Sequence, residues 1–267
     1  MNWSIYFSGL AAMAVFAFAG WLLSLYRNNV THVDSMWSLF FVVAAFSYSA
    51  SIHDLGNELG QSISPRAWLV LILVSIWALR LCIYLTWRNW GPHEDHRYVA
   101  IRKNNAPNFR FTSIYIVFGL QAVLAWIISL SLLGAVTSNA AVNGWDVAGI
   151  LLVVYGFIWE SVADYQLSIF KRNPANHGKV LNQGLWRFSR HPNYFGECCV
   201  WWGFYLIALA GGAWWSIPSA LLMTLLLLKV SGVALLEKDI SERRPDYIRY
   251  IKSTNSFIPW LPKEIRK

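Results

Sequence analysis

The chain is built from apolar runs long enough to cross a lipid bilayer. A hydrocarbon core about 30 Å thick needs about 20 apolar residues of helix. Runs of that order extend from Trp3 to Tyr26, about Ser35 to Ile52, Ala67 to Trp87, about Phe111 to Val136 and Val147 to Leu167. A last block, Tyr194 to Leu236, is too long for one span, and Gly211-Gly212 at its middle predicts a hairpin dividing it in two. The first run has neither a basic stretch before it nor a small-residue cleavage pattern after it, so it reads as a span and not as a removable signal. The expectation is an all-α integral membrane bundle of about seven transmembrane helices. It forms one domain over 1–267, with a cytoplasmic loop at 168–191 and a cytoplasmic tail at 238–267.

Composition excludes the soluble alternatives. Of 267 residues, 56% are hydrophobic and 13% charged, against about 25% charged in a soluble domain. The chain therefore lacks the polar surface of a soluble enzyme, a disordered segment or a coiled coil. Cys82, Cys198 and Cys199 all lie in apolar runs and offer no disulfide framework. The net charge of +8 is sorted by side and does not point to nucleic acid. Arg27 lies in the first loop; Arg88, Arg97, Arg102, Lys103 and Arg110 in the third; Lys171, Arg172, Lys179, Arg187 and Arg190 in the fifth. Lys238, Arg243, Arg244, Arg249, Lys252, Lys263, Arg266 and Lys267 lie in the tail, whereas the opposite side holds only Arg66. The positive-inside rule then places the amino terminus outside and the long loops and carboxy terminus in the cytoplasm.

Five carboxylates and two cations sit within or at the edge of the spans: Asp34, Glu160, Asp164, Glu197, Glu237, Arg80 and Lys229. A charge at mid-bilayer costs about 2.5–3.5 kcal/mol on insertion scales, so such groups face a cavity or a partner. Glu160 and Asp164 are one helical turn apart, as are Arg80 and Tyr84, so each pair shares a helix face. Glu237 follows Lys229 by about two turns. Acids and cations together suit a nucleotide, with cations for phosphates and carboxylates for hydroxyls.

The most specific stretch is Gly184-Leu185-Trp186-Arg187-Phe188-Ser189-Arg190-His191-Pro192-Asn193-Tyr194-Phe195-Gly196-Glu197. Pro192 suits the first turn of a helix, and the free N–H groups at such a start favour an anion. Arg190 and His191 add positive charge there, and Asn193 offers both a donor and an acceptor.

This stretch resembles the carboxy-terminal signature of the steroid 5-alpha-reductase-like membrane enzymes, which include sterol double-bond reductases, and the match extends over roughly the last two-thirds of the chain, with 93–267 carrying the signature region. The resemblance implies a bundle of mostly seven helices enclosing NADPH, with a lipid or steroid-like substrate entering from the bilayer. It implies cofactor contacts for Arg80, Tyr84, Asp164, Lys171, Lys179, Arg190, Asn193 and Glu197, with Glu160, His191, Tyr194, Lys229 and Glu237 beside them. The steroid enzymes carry asparagine in place of Glu160 and arginine in place of Lys171, Lys179 and Lys229. Their Gln-Glu pair on the second helix is absent, its nearest acid is Asp34, and the partnering tyrosine is replaced by Trp77. Asp34 is the candidate acid toward a substrate carbonyl, because burial raises a carboxyl pKa. It is equally placed to cap the second helix. His32, which titrates near neutrality, is the second candidate.

A competing expectation is an S-adenosylmethionine-dependent membrane methyltransferase of the isoprenylcysteine or phospholipid type, which shares the Arg-His-Pro-x-Tyr-x-Gly text. Those enzymes follow the last helix with a double glutamate, where this chain has Glu237-Lys238. A di-iron enzyme needs several histidine boxes, and this chain offers only His93-Glu94-Asp95-His96 among six histidines. No metal is expected. A transporter or scaffold would need no phosphate-binding constellation. Rossmann-type glycine loops are absent, so any nucleotide must be held by helices. The expected location is a bacterial inner membrane, and membrane lipids are the expected surroundings.

Overall fold

The computed structural model describes residues 1–59, 63–91, 93–230, 233, 237 and 246–263. Among these residues there are helices and turns but no strand. The elements are α1 Trp3–Arg27, α2 Val33–Leu59, α3 Pro65–Arg88, α4 His96–Asn104, α5 Phe109–Ile128, α6 Leu130–Val136, α7 Gly144–Arg172, α8 Pro192–Ala210, α9 Trp214–Val230 and α10 Asp246–Ser253. Among the described residues five helices are long and apolar enough to cross a membrane: α1, α2 over Val33–His53, α3, α5 and α7. The expected hairpin forms, with Gly212 at φ +83°, but its arms fall outside that five. Pro192, Asn193 and Glu197 lower the hydropathy of α8, and α9 is shorter. The end of the last expected span and Lys238, Arg243, Arg244, Arg266 and Lys267 lie outside the described residues.

Local chemistry sets the helix ends. The Asn2 side chain caps α1, accepting from Ser4 N–H at 3.0 Å, and Asn28 closes it in the left-handed region at φ 51°. Ser64 caps α3 ahead of Pro65, and Asp95 caps α4. Asp34 does not have its expected place as a cap: α2 begins at Val33, and Asp34 lies inside its first turn. The fourth expected span is also divided. The helix breaks at Ser129, whose hydroxyl donates to the Trp126 carbonyl at 2.7 Å and bonds the Tyr48 hydroxyl at 2.7 Å.

The chain divides into two compact units. The first is Met1–Gly144 with Ile207–Ser219. In it α2 lies against α1 and α3, around fully buried Phe40, Phe41, Tyr48, Val74, Trp77 and Phe118. Its loops sort to opposite ends. At one end Val30 N–H donates to Glu94 at 3.0 Å and Asp95 N–H to Thr31 Oγ1 at 2.9 Å, joining the first loop to the third. At the other end buried Arg66 donates to Ser138 Oγ at 3.0 Å and to the carbonyls of Ala140 and Ala141 at 2.8 and 2.9 Å. Ser138 Oγ in turn donates to the Gly211 carbonyl at 3.1 Å. The loops before α3, before α7 and in the hairpin therefore share an end.

The second unit is Trp145–Leu206 with Ala220–Lys267. Its spine is the crossing of α7 and α8, which needs glycine on both sides. A Cβ on Gly156 would stand 2.5 Å from the Gly196 carbonyl oxygen, and one on Gly196 would stand 2.6 Å from the Glu160 nitrogen. Backbones this close let small polar side chains on the two helices meet one turn further on.

Candidate functional site

In the second unit the polar residues of α7 and α8 converge. Glu160, Asp164 and Glu197 are all buried. Asn193, on the first turn of α8, donates from Nδ2 to Asp164 Oδ1 at 3.2 Å. This bond joins two of the residues expected at the cofactor, whose pairing with each other the sequence did not indicate. The turn before α8 is fixed against α7, because Trp186 Nε1 donates to the Ala163 carbonyl at 3.1 Å and Leu185 N–H to Gln166 Oε1 at 2.9 Å.

Arg190 and His191 point elsewhere. Arg190 forms a bidentate pair with Glu237, Nε to Oε1 at 2.7 Å and Nη2 to Oε2 at 2.8 Å. Its Nη1 donates to the carbonyls of Thr254 at 2.5 Å and Ile251 at 3.3 Å. Four of its five N–H groups are thus engaged within the protein, and the residue is 8% exposed. His191 Nε2 lies 2.9 Å from the same Glu237 oxygen, and the Tyr247 hydroxyl donates to it at 3.3 Å. The His191 ring stacks on Tyr194 at 5.7 Å between centroids. Burial would push the Glu237 carboxyl up, but hydrogen bonds from His191 and Arg190 and the Arg190 charge bring it down to about 2. Burial would likewise lower Arg190, and Glu237 raises it instead. These three residues form an ionic latch between the signature and the tail. Lys171, Lys179 and Lys229 are exposed.

In the first unit Arg80 and Arg88 both lie over the Tyr84 ring, at 5.8 and 5.7 Å, so the expected α3 face forms. Asp34 sits in a node that includes residues not anticipated. Arg97 Nη2 donates to Asp34 Oδ2 at 2.6 Å and the Tyr98 hydroxyl to Oδ1 at 2.6 Å, while Gln121 Nε2 reaches the Tyr98 hydroxyl at 3.4 Å. Arg97 is braced by Asp95 at 2.9 Å, and Arg102 grips Glu94 through two bonds at 2.8 and 2.7 Å. Burial tends to raise Glu94 and Asp95, yet their arginine partners leave both carboxyls low. Burial and the Asp34 charge raise the Tyr98 phenol, which keeps its proton. Both Asp34 oxygens accept in this arrangement. His32 is held by its Nε2 at 2.9 Å from the Gly20 carbonyl, and burial lowers its pKa. The His93–His96 stretch supplies ion pairs and a helix cap through Glu94 and Asp95. This node was missed from sequence; the signals that could have found it are Gln121 in an apolar span and the arginines that follow Glu94 and Asp95.

Fold and site together define a multi-pass helical membrane protein with polar nodes at its helix ends. Residues 20–254 match the family described as "Protein of unknown function (DUF1295)", and the chain belongs to that family. An uncharacterised protein of Schizosaccharomyces pombe is 28% identical over 269 aligned residues, which cover 90% of this chain and 76% of that protein. A probable O-methyltransferase of Ustilaginoidea virens is 36% identical over 52 residues, 20% of this chain and 18% of that protein. No solved structure matches the chain significantly.

Proposed function

We propose that the protein is an NADPH-dependent reductase of a carbon–carbon double bond in a lipid or steroid-like enone, working from within the membrane. The observation that carries this reading is the bond from half-buried Asn193, at the start of α8, to buried Asp164 of α7, with buried Glu160 and Glu197 beside them. An amide and carboxylates in one place suit the hydroxyl and carboxamide groups of a nicotinamide nucleotide. The likeness of the 184–197 stretch to the signature of the steroid 5-alpha-reductase-like enzymes agrees with it. In this reading Asp164, Asn193, Glu160, Glu197 and Tyr194 hold the nucleoside part, and Lys171, Lys179 and Lys229 meet phosphate as point charges. In the first unit, by itself, Arg80 and Tyr84 form a cationic aromatic face. Arg190, His191 and Glu237 act by positioning: they fix the turn that presents Asn193.

The bound cofactor supplies hydride; the chain supplies orientation and a proton. In the first unit the proposed proton donor is Tyr98, whose single hydroxyl proton rests on Asp34 Oδ1 and is released to an acceptor when the hydroxyl turns away, Asp34 staying held by Arg97. His32 secures the loop before α2. The proposed topology is seven spans with the amino terminus outside and the tail in the cytoplasm of a bacterial inner membrane. It is supported by the lysine and arginine sorting and by the loops that share an end.

The second reading, an S-adenosylmethionine-dependent methyltransferase, is favoured by the short match to the probable O-methyltransferase. Thermal unfolding in detergent separates the two. A ligand at 100 times its dissociation constant stabilises by about 2.7 kcal/mol. NADPH is expected to do so and S-adenosylmethionine not; the reverse outcome transfers the assignment to the methyltransferase.

A further inference from the structure

The tail of the second unit returns to the membrane boundary with its apolar side chains uncovered. Arg190 N–H donates to the Asn255 carbonyl at 2.9 Å and Trp260 N–H to the Phe188 carbonyl at 2.9 Å. The Ser189 hydroxyl donates to the Phe257 carbonyl at 2.8 Å, and Tyr250 bonds the Trp186 and Ser189 carbonyls. Residues 246–263 are therefore strapped to the turn that begins α8. That turn is itself held level with Ala163 and Gln166 of α7. At 1.5 Å per residue the 29-residue α7 is about 43 Å long, well beyond a hydrocarbon core of about 30 Å. Its last two turns, beside which the tail lies, fall at the headgroup level.

On this strap Tyr247, Tyr250 and Phe257 face inward and are buried. Ile258, Trp260 and Leu261 are 64%, 67% and 73% exposed, and Ile248 and Ile251 are exposed beside them. Exposed leucine and valine on α3 or α7 face lipid tails; these five lie outside every span. Arg187, Arg249, Lys252 and Lys263 are exposed on the same segment and turn. Between 246 and 263 the sequence carries one acid, Asp246. An apolar set with a tryptophan, edged by cations, matches an anionic interface and not water.

We infer that residues 248–263 form an interfacial anchor for anionic phospholipid, with Ile258, Trp260 and Leu261 inserted among the headgroups and Arg249, Lys252 and Lys263 paired with lipid phosphates. The anchor steadies the strap that holds the signature turn, and it does not depend on the identity of the cofactor. A nearby lysine or arginine contributes about 1 kcal/mol of attraction to an anionic leaflet, about fivefold in the docked-to-undocked ratio.

The test uses the full chain with Cys82, Cys198 and Cys199 replaced by alanine and Leu261→Cys carrying a nitroxide. It is reconstituted in vesicles of phosphatidylcholine alone or with phosphatidylglycerol. Collision with oxygen and with a water-soluble nickel chelate is read by spin resonance, against the same label at exposed Asn182→Cys. The expected result is that the label at 261 is reached by oxygen and shielded from nickel, more so with phosphatidylglycerol. Arg249→Gln with Lys252→Gln is expected to cancel the added effect of phosphatidylglycerol. Nickel access equal at 261 and 182 overturns the anchor, and shielding indifferent to both phosphatidylglycerol and the double substitution overturns its anionic character. Trp260→Ser, which leaves the backbone bond to Phe188 in place and does not touch the label site, is expected to raise nickel access at 261, and unchanged shielding overturns insertion of the tryptophan.

Discussion

Replacing Glu237 by glutamine tests the latch that joins the tail to the signature. Glu237 takes two bonds from Arg190, one from Tyr247 and one contact from His191. Its carboxyl falls from 4.5 to about 2. At 1.36 kcal/mol per unit, that difference corresponds to about 3 kcal/mol of stability at neutral pH. The variant also leaves the Arg190 guanidinium buried without its counter-ion, and breaking a buried pair costs about 3–5 kcal/mol. In a chain of this size each kcal/mol shifts the midpoint by roughly 2–4 °C, so a loss on the order of 10 °C is expected at pH 7. The sign with pH follows from the lowered value. The contribution of Glu237 is complete above about pH 4.5 and fades as the pH falls toward 2. Thermal unfolding of the detergent-solubilised protein, followed by helix circular dichroism from pH 7 down to pH 3, should show the gap between native chain and Glu237→Gln narrowing with acid. A constant gap, or equal midpoints at pH 7, refutes the ionic account of the latch.

Gly156→Ala places a methyl 2.5 Å from the Gly196 carbonyl oxygen, so α7 and α8 must part. A loss of about 1–3 kcal/mol is expected in the same unfolding assay. Asn193→Ala removes the amide that meets Asp164 and should weaken NADPH binding by about 1–3 kcal/mol, measured by fluorescence titration. Tyr98→Phe removes the proposed proton while Asp34 keeps Arg97. Cofactor binding should persist and turnover of an identified substrate should fall about 10²–10⁴-fold; unchanged turnover removes Tyr98 from the chemistry.

What could be read in the sequence is what local pattern controls. The runs beginning at Trp3 and Ala67 became α1 and α3 within a few residues, because apolar length alone decides a span. Gly211-Gly212 marked the hairpin because only glycine takes φ +83° without strain. Asp164 and Asn193 were each marked by the family resemblance, but their bond to each other was not. Other features depend on residues far apart in the chain. Arg190 read as an anion binder from its place before a helix, yet its partner Glu237 is 47 positions away and its other acceptors are tail carbonyls. Asp34 looked like a cap or an acid because nothing near it showed that Arg97 and Tyr98, 63 and 64 positions later, would take both oxygens. The break at Ser129 was hidden for the same reason: a serine in an apolar run gives no sign of a tyrosine partner 81 positions earlier.

The central claim is that this chain houses a nicotinamide nucleotide. The most direct measurement is mass spectrometry of the nucleotides released on denaturing protein that was extracted in mild detergent and washed free of unbound ligand. The account predicts NADPH or NADP⁺ in near-stoichiometric amount from the native chain, and much less from Asn193→Ala. S-adenosylmethionine or its demethylated product in that amount, with no nicotinamide nucleotide, would contradict it.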